Sequence, residues 1–289
     1  TAGFITAMKY ANIGPGDEVI VPAITFIATM AYPISVGAKI VICDVAPNTI
    51  NMDPEDLKKK LSPKTKMVVP VHIGGYPCNM EEIMKVTKEY NKDIVVLEDA
   101  AHAFGAMYKG RKIGTIGDFA AFSFHEVKNI TSFGEGGIVT TTIPGYEGEL
   151  KRARFLGLDF SCPIKDWLYN ITPIQGKYGP FVASNNSSTT EIQGLGLARQ
   201  IARNEKIIAE RRAAAEYLNK RLAAIEAQFS TISTIVNALQ NAEYIKEVVE
   251  LYEGPALVGY EITFVKYAIG ADGKLTETTR KSTIRNGGA

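Results

Sequence analysis

Short, continuous apolar runs punctuate the chain, separated by stretches of helical periodicity. The runs are EVIVP (18–22), AKIVICDV (38–45), KMVVPVHI (66–73), DIVVLEDAA (93–101), DFAAFSF (118–124) and GGIVTTT (136–142). Runs this short, rich in β-branched residues and without polar alternation, predict strands buried on both faces, as parallel sheets require. The segments between them, DPEDLKKKL and NMEEIMKVTKEYN, put acids first and lysines later. That charge order suits the helix dipole and predicts crossover helices. Strands alternating with helices give an α/β domain with a mainly parallel central sheet flanked by helices.

From Glu191 to about Gln228 the period lengthens. Ile192, Leu195, Ala198, Ile201, Ile208, Ala215, Leu218, Leu222 and Ile225 recur at steps of three, four or seven. This predicts one long helix whose apolar stripe faces a core or a second domain. Before it, residues 158–188 are rich in Pro, Gly and aromatics and read as a long functional loop or a subunit contact. After Phe229 the stretch GYEITFVKYAIGADGKL predicts a strand and then a turn at Ala271, Asp272 and Gly273.

Composition narrows the functional classes. A net charge of +1 supplies no field for nucleic acid or an anionic membrane, so any anion must be bound locally. Cys43, Cys78 and Cys162 form no C-x-x-C pair, which argues against a disulfide framework and a structural zinc site and fits a reducing cytoplasm. No apolar run approaches the roughly 18 residues that cross a bilayer, so a soluble protein is expected. The chain opens at Thr1 without Met and closes on STIRNGGA soon after a strand-like stretch, which reads as a fragment.

In open α/β sheets ligands gather at the carboxyl ends of the strands. Two such ends carry polar groups: VVLEDAAHAFGA, with Asp99 and His102, and AAFSFHEVKN, with Ser123, His125 and Lys128. A buried carboxylate at a strand end needs a partner. The partner of Asp99 could be Lys128 in a structural ion pair, an arginine, a metal, or the protonated ring nitrogen of a cofactor. His72, His102 and His125 show no metal-ligand spacing, so no metal is expected. No phosphate-binding glycine motif follows a strand, and Ser123 has no G-x-S-x-G elbow. A solvated loop lysine is the default reading of Lys128; a Schiff-base lysine is the functional one.

The stretches EDAAHAFGA and GDFAAFSFHEVKNITSFGEGGIVTT, with the opening TAGFITAMKYANIGPGDEVIVPAITFIATMAYPISVGAKIVICDV, resemble the DegT/DnrJ/EryC1/StrS aminotransferases. The resemblance runs in register over about residues 1–142 and resumes at TEIQGLGLARQIARNEKIIAERR. It implies the type I fold of pyridoxal-phosphate (PLP) enzymes. Residues 1–200 would be the large cofactor domain, short of its N-terminal segment, and 201–289 a long interdomain helix with a partial small domain. The resemblance also implies roles. Lys128 would hold the cofactor as an internal aldimine and shuttle a proton, Asp99 would pair with the pyridine nitrogen, and His102 would sit near the ring hydroxyl. Ser123 and the turn at Thr1 and Ala2 would take the phosphate, and Phe26 would stack on the ring. Asn186 matches the asparagine that reaches the phosphate across a dimer interface. NSST (186–189) departs from the family's N-Y-R-M there, and residues after about 228 carry almost no resemblance. The implied activity is amination of a nucleotide-linked keto sugar by glutamate or glutamine, in a cytoplasmic homodimer that binds neither nucleic acid nor membrane. Amination of a keto cyclitol and a catalytically silent PLP-binding or regulatory role are the alternatives.

Overall fold

The computed structural model describes residues 1–159, 173–183, 185–241, 244–253, 256–269 and 275–285. The chain divides into two units, Thr1–Ala209 and Glu210–Ala289.

The first unit opens with α1 (Ala2–Tyr10), followed by β1 (Glu18–Pro22), α2 (Ala28–Ser35), β2 (Lys39–Cys43), α3 (Pro54–Lys60), β3 (Thr65–Val68), α4 (Met80–Tyr90) and β4 (Val95–Asp99). A small hairpin of β5 (Met107–Tyr108) and β6 (Arg111–Lys112) leads to β7 (Phe119–Ser123), β8 (Gly137–Thr141) and α5 (Glu147–Ala153). A second hairpin, β9 (Ile174–Gly176) and β10 (Gly179–Phe181), precedes α6 (Glu191–Ala202). The six-stranded sheet has the order β2-β1-β3-β4-β7-β8. All neighbours are parallel except β8, which runs antiparallel to β7. The expected α/β architecture with a mainly parallel sheet is therefore present.

Alternation along the strands fills both faces. Val19, Val21, Val95, Leu97, Phe119 and Ala121 pack with Phe4, Ala7 and Met8 of α1. Ile20, Val68 and Val96 face the other way, onto Leu57 of α3 and Met80 and Ile83 of α4. Helix α1 lies close to the sheet because Gly3 has no side chain: a Cβ there would meet Val139 Cγ2 at 2.9 Å and Ala121 Cβ at 3.1 Å. Helix α3 starts on Asp53, whose side chain accepts the Glu55 N–H, with Pro54 in the first turn.

The expected single helix after Glu191 is two helices. Helix α6 begins on a capping box between Thr190 and Gln193 and stops at Arg203, where φ/ψ is −103/1. Helix α7 spans Asn204–Asn241. Much of the stripe expected to face a core or a second domain is exposed in this chain: Ile192 is 73% and Leu195 64% exposed, and Leu218 and Leu222 are also exposed, while Ile208 is half-buried.

In the second unit, beyond its part of α7, β11 (Tyr244–Glu253), β12 (Ala256–Ile269) and β13 (Leu275–Arg285) form an antiparallel sheet in sequence order. The expected strand lies within β12; the expected turn at Ala271–Gly273 falls outside the described residues, as do Cys162 and most of the aromatic stretch after Leu158.

Candidate active site

Because β1, β3, β4 and β7 are parallel, their carboxyl ends share one rim of the sheet, and the order β2-β1-β3 places a change of winding direction there. Asp99 ends β4 and Ser123 ends β7, with Asp99 in register with Ala121. Side chains alternate across a strand, so Asp99 shares the α1 face with Leu97 and Val95, and Glu98 takes the opposite face. Asp99 is buried at 4% exposure and accepts a hydrogen bond from the Ala101 N–H at 3.1 Å. It makes no ion pair among the described residues. Burial pushes its pKa above the usual carboxylate range, against the Ala101 hydrogen bond and the fields of His72, the terminal amine and Lys128.

Lys128 sits in the turn that leaves β7. Phe124 donates its N–H to Gly136 O at 2.7 Å, and Ser132 Oγ donates to Glu135 O at 2.9 Å, closing the base of the loop. Ile130, 1% exposed, anchors it from beneath. The Lys128 N–H bonds His125 O at 2.9 Å, and Nζ lies 3.0 Å from His102 Nε2. The other ring nitrogen of His102, Nδ1, accepts the Gly74 N–H at 3.2 Å, and its carbonyl accepts from Asn129 Nδ2 at 2.8 Å. Burial and then the charge of Lys128 hold the His102 pKa below the ordinary histidine value. Lys128 is half-buried, and its amine is engaged by His102.

The remaining expected residues fall into two groups. The nitrogen of Thr1 lies within electrostatic reach of Asp99, Glu135 and Lys128, which places Thr1, Ala2 and the start of α1 at the same rim. Ser123 Oγ is half-buried and accepts the His125 N–H at 3.3 Å. Phe26 follows the carboxyl end of β1, is 70% exposed, and takes the Thr29 hydroxyl on its carbonyl at 2.9 Å. Its ring is therefore not core. Asn186 stands apart: it bridges Phe155 on the backbone, and its Oδ1 accepts the Ser188 N–H at 3.1 Å. Within one chain, no hydrogen bond links Asn186 to Lys128, Asp99 or His102.

Two buried residues beside the site were not singled out from the sequence. Glu98 and His72 are both fully buried and share a hydrogen bond of 3.1 Å from His72 Nε2 to Glu98 Oε2. Glu98 also takes the N–H groups of Gly114 at 3.1 Å, Ile116 at 3.0 Å and Gly117 at 2.7 Å. The available signal was the charge itself, an acid inside the buried run VVLED. Among the described residues, no group of three or more His, Cys, Asp or Glu side chains is arranged to hold a metal ion, and no helix is long and apolar enough to cross a membrane.

Known proteins share this arrangement of chain and fold. GDP-perosamine synthase from Caulobacter vibrioides is 40% identical over 183 residues, which is 62% of this chain and 48% of that one. The aminotransferase from Psychrobacter cryohalolentis superposes with a TM-score of 0.68 at 33% identity, covering 78% of this chain and 56% of that one. Spr1654 from Streptococcus pneumoniae, in its PLP form, gives 0.64 at 28% identity over 74% of this chain and 56% of that one. The chain thus spans about half the length of these relatives. The expected type I PLP aminotransferase fold is the fold these structures share with it. With residues 1–251 matched by the family's sequence pattern, the chain belongs to the DegT/DnrJ/EryC1/StrS aminotransferase family.

Proposed function

We propose that this chain carries the cofactor site of a PLP-dependent aminotransferase that moves an amino group from glutamate or glutamine to a nucleotide-linked keto sugar. The observation that carries the reading is the convergence at one rim of an engaged amine and an unpaired buried carboxylate, Lys128 and Asp99. Family membership and the PLP form of Spr1654 support the cofactor; the identity to GDP-perosamine synthase supports the sugar.

The residues fit the group. An isolated buried carboxylate calls for a cation, which the protonated pyridine nitrogen would provide at Asp99. The exposed Phe26 ring offers a stacking face. Backbone N–H groups at the start of α1, at Thr1 and Ala2, and the Ser123 hydroxyl would hold the phosphate. When bound, PLP supplies an aldehyde for the lysine amine and a ring that accepts electron density from the reacting carbon. Lys128 Nζ would make the covalent attachment and, once released, carry a proton between carbon atoms as a neutral amine. His102 would orient that amine through its 3.0 Å contact. Asp99 would keep the ring nitrogen protonated, the condition for electron uptake.

A complete site is proposed to form in a homodimer. Phe133 (68% exposed) packs on Gly196 of α6, where Ile192 and Leu195 are also open, an apolar surface that suits a second copy. Asn186 would then serve the partner's site. A cytoplasmic setting is consistent with the two described cysteines, Cys43 and Cys78, being free and buried.

Borohydride reduction in the presence of PLP, followed by peptide mapping, should place the adduct on Lys128. An adduct on another lysine would refute the assignment. Glutamate or glutamine alone should then convert the bound cofactor to its amine form, since the donor half-reaction needs no sugar. A protein that binds PLP at Lys128 and converts with no common donor would be the silent binder.

A further inference from the structure

Two sets of hydrogen bonds, joined by the backbone from His72 to Gly74, link the buried side of β4 to the lysine amine. Glu98 fixes His72 through the His72 Nε2 contact, while His72 Nδ1 accepts the Cys78 N–H at 3.0 Å. An imidazole nitrogen that accepts carries no proton, so the His72 proton lies on Nε2 and points at Glu98. The segment between His72 and Cys78 is thereby tied down at both ends. Asn51, 3% exposed, ties its middle: Oδ1 accepts the Ile73 N–H at 3.3 Å and Nδ2 donates to Tyr76 O at 2.9 Å. Inside this tied segment, Gly74 and Gly75 have φ of 59° and 80°. Gly75 lies so close to His102 that a Cβ would stand 2.8 Å from its carbonyl oxygen. The Gly74 N–H is held against His102 Nδ1.

We propose that the segment pinned by the His72–Glu98 pair and Asn51 acts as a positioning device: its Gly74 N–H locks His102 in the tautomer with the proton on Nε2, so that His102 donates to the Lys128 amine. A neutral imidazole has one donor and one acceptor nitrogen. With Nδ1 committed to Gly74, Nε2 must donate across the 3.0 Å contact, and an amine accepts only through a free lone pair. The consequence is a Lys128 amine held in one orientation at the rim; its lone pair faces His102, so attack on an aldehyde would first require release of that contact. Glu98, His72, Asn51 and Gly74 touch no reacting atom; they act through His102. This inference rests on the reading of Lys128 as the reactive amine.

The test is the tautomer itself, read by nitrogen NMR of the full chain labelled in its histidine rings. The sequence has three histidines, and His102 is assigned as the signal lost in His102→Gln. The expected result is a proton-bearing Nε2 and a bare Nδ1 on His102. In His72→Gln and in Asn51→Ala, which loosen separate ties, the ratio of the two tautomers should fall about threefold to tenfold, the worth of one hydrogen bond. A proton on Nδ1 in the wild type overturns the proposal, as does an unchanged ratio in both variants. If one variant does not fold, the wild type and the other decide. A borohydride adduct missing from Lys128 would refute the aminotransferase reading and leave this measurement untouched, so the two failures are distinguishable.

Discussion

Replacing Glu98 with glutamine removes a charge while leaving the shape intact, and the structure sets the size of the effect. Glu98 Oε1 accepts from Ile116 and Gly117; Oε2 accepts from Gly114 and His72. Whichever way the introduced amide turns, its NH2 faces two donors. His72 cannot relieve the clash by moving its proton, because Nδ1 already takes the Cys78 N–H. Two buried donors are left without acceptors, at about 1–3 kcal/mol each, so Glu98→Gln should cost about 2–6 kcal/mol. That is a large part of the roughly 5–15 kcal/mol that holds a domain together. Urea unfolding of both proteins at pH 7, compared at equal m, measures it. A loss below about 1 kcal/mol would refute the hydrogen-bond assignment. The sign with pH follows separately. Burial pushes the Glu98 pKa up, but the bonds from His72, Gly117 and Gly114 more than offset that and hold it below the usual glutamate value. The unfolded chain therefore binds the proton first, so this stability is present above the ordinary glutamate pKa and is lost as pH falls through the folded one. The gap between wild type and Glu98→Gln should narrow in acid and be constant near neutrality.

Three further outcomes follow from the site, and a fourth from the assembly. Asp99→Ala should still take up PLP through Lys128 and the phosphate contacts yet lose most turnover; near wild-type rates would make this carboxylate structural. Because burial penalises the charge on Asp99, Asp99→Asn should leave the thermal midpoint of the cofactor-free chain unchanged or raised, and a marked drop would mean a partner for Asp99 that the fold supplies. Gly75→Ala forces a side chain onto positive φ and within 2.8 Å of His102 O, so its thermal melt should show a loss of about 1–2 kcal/mol or more. Sedimentation of the protein with PLP should report a dimer, and turnover by a stable monomer would exclude the shared site.

The sequence was most legible where burial dictated composition. The runs at β1 and β4 are buried at every position, and a strand forms at every run: β1 matches its run, β3 stops at Val68, well short of the run's end at Ile73, and the others lose one or two residues at each end. Strand direction was not legible. GGIVTTT reads the same whether it runs with or against its neighbour; the connection decides. Between Ser123 and Gly137 there is no crossover helix, only the loop that carries Lys128, so β8 returns antiparallel. The break at Arg203 carries no Gly or Pro, and periodicity passes through it unchanged. Of the second unit's strands only β12 was legible: β13, LTETTRKSTIR, is almost wholly polar, and β11, YIKEVVELYE, breaks its apolar positions with four charges. For the stripe on α6 and α7 the choice between a core and a second domain stays open, because periodicity reports that a face is apolar and cannot report what covers it.

The site shows the same division at the scale of two adjacent residues. In VVLEDAA both acids look equally out of place. Alternation sends them to opposite faces of β4, and their surroundings then separate them. Glu98 meets four donors, one of them a histidine whose own proton is committed, so its charge is fully compensated inside the fold and its pKa falls. Asp99 meets one backbone donor, from Ala101, and its pKa rises. The fold compensates a buried carboxylate thoroughly on one face of the strand and leaves its neighbour short on the other. Under the proposed function, that shortage would be met by a cation supplied from outside the chain, at the rim where Lys128 is held. Motif spacing alone pointed at Asp99 and Lys128; the donor count is what distinguishes Asp99 from the acid beside it.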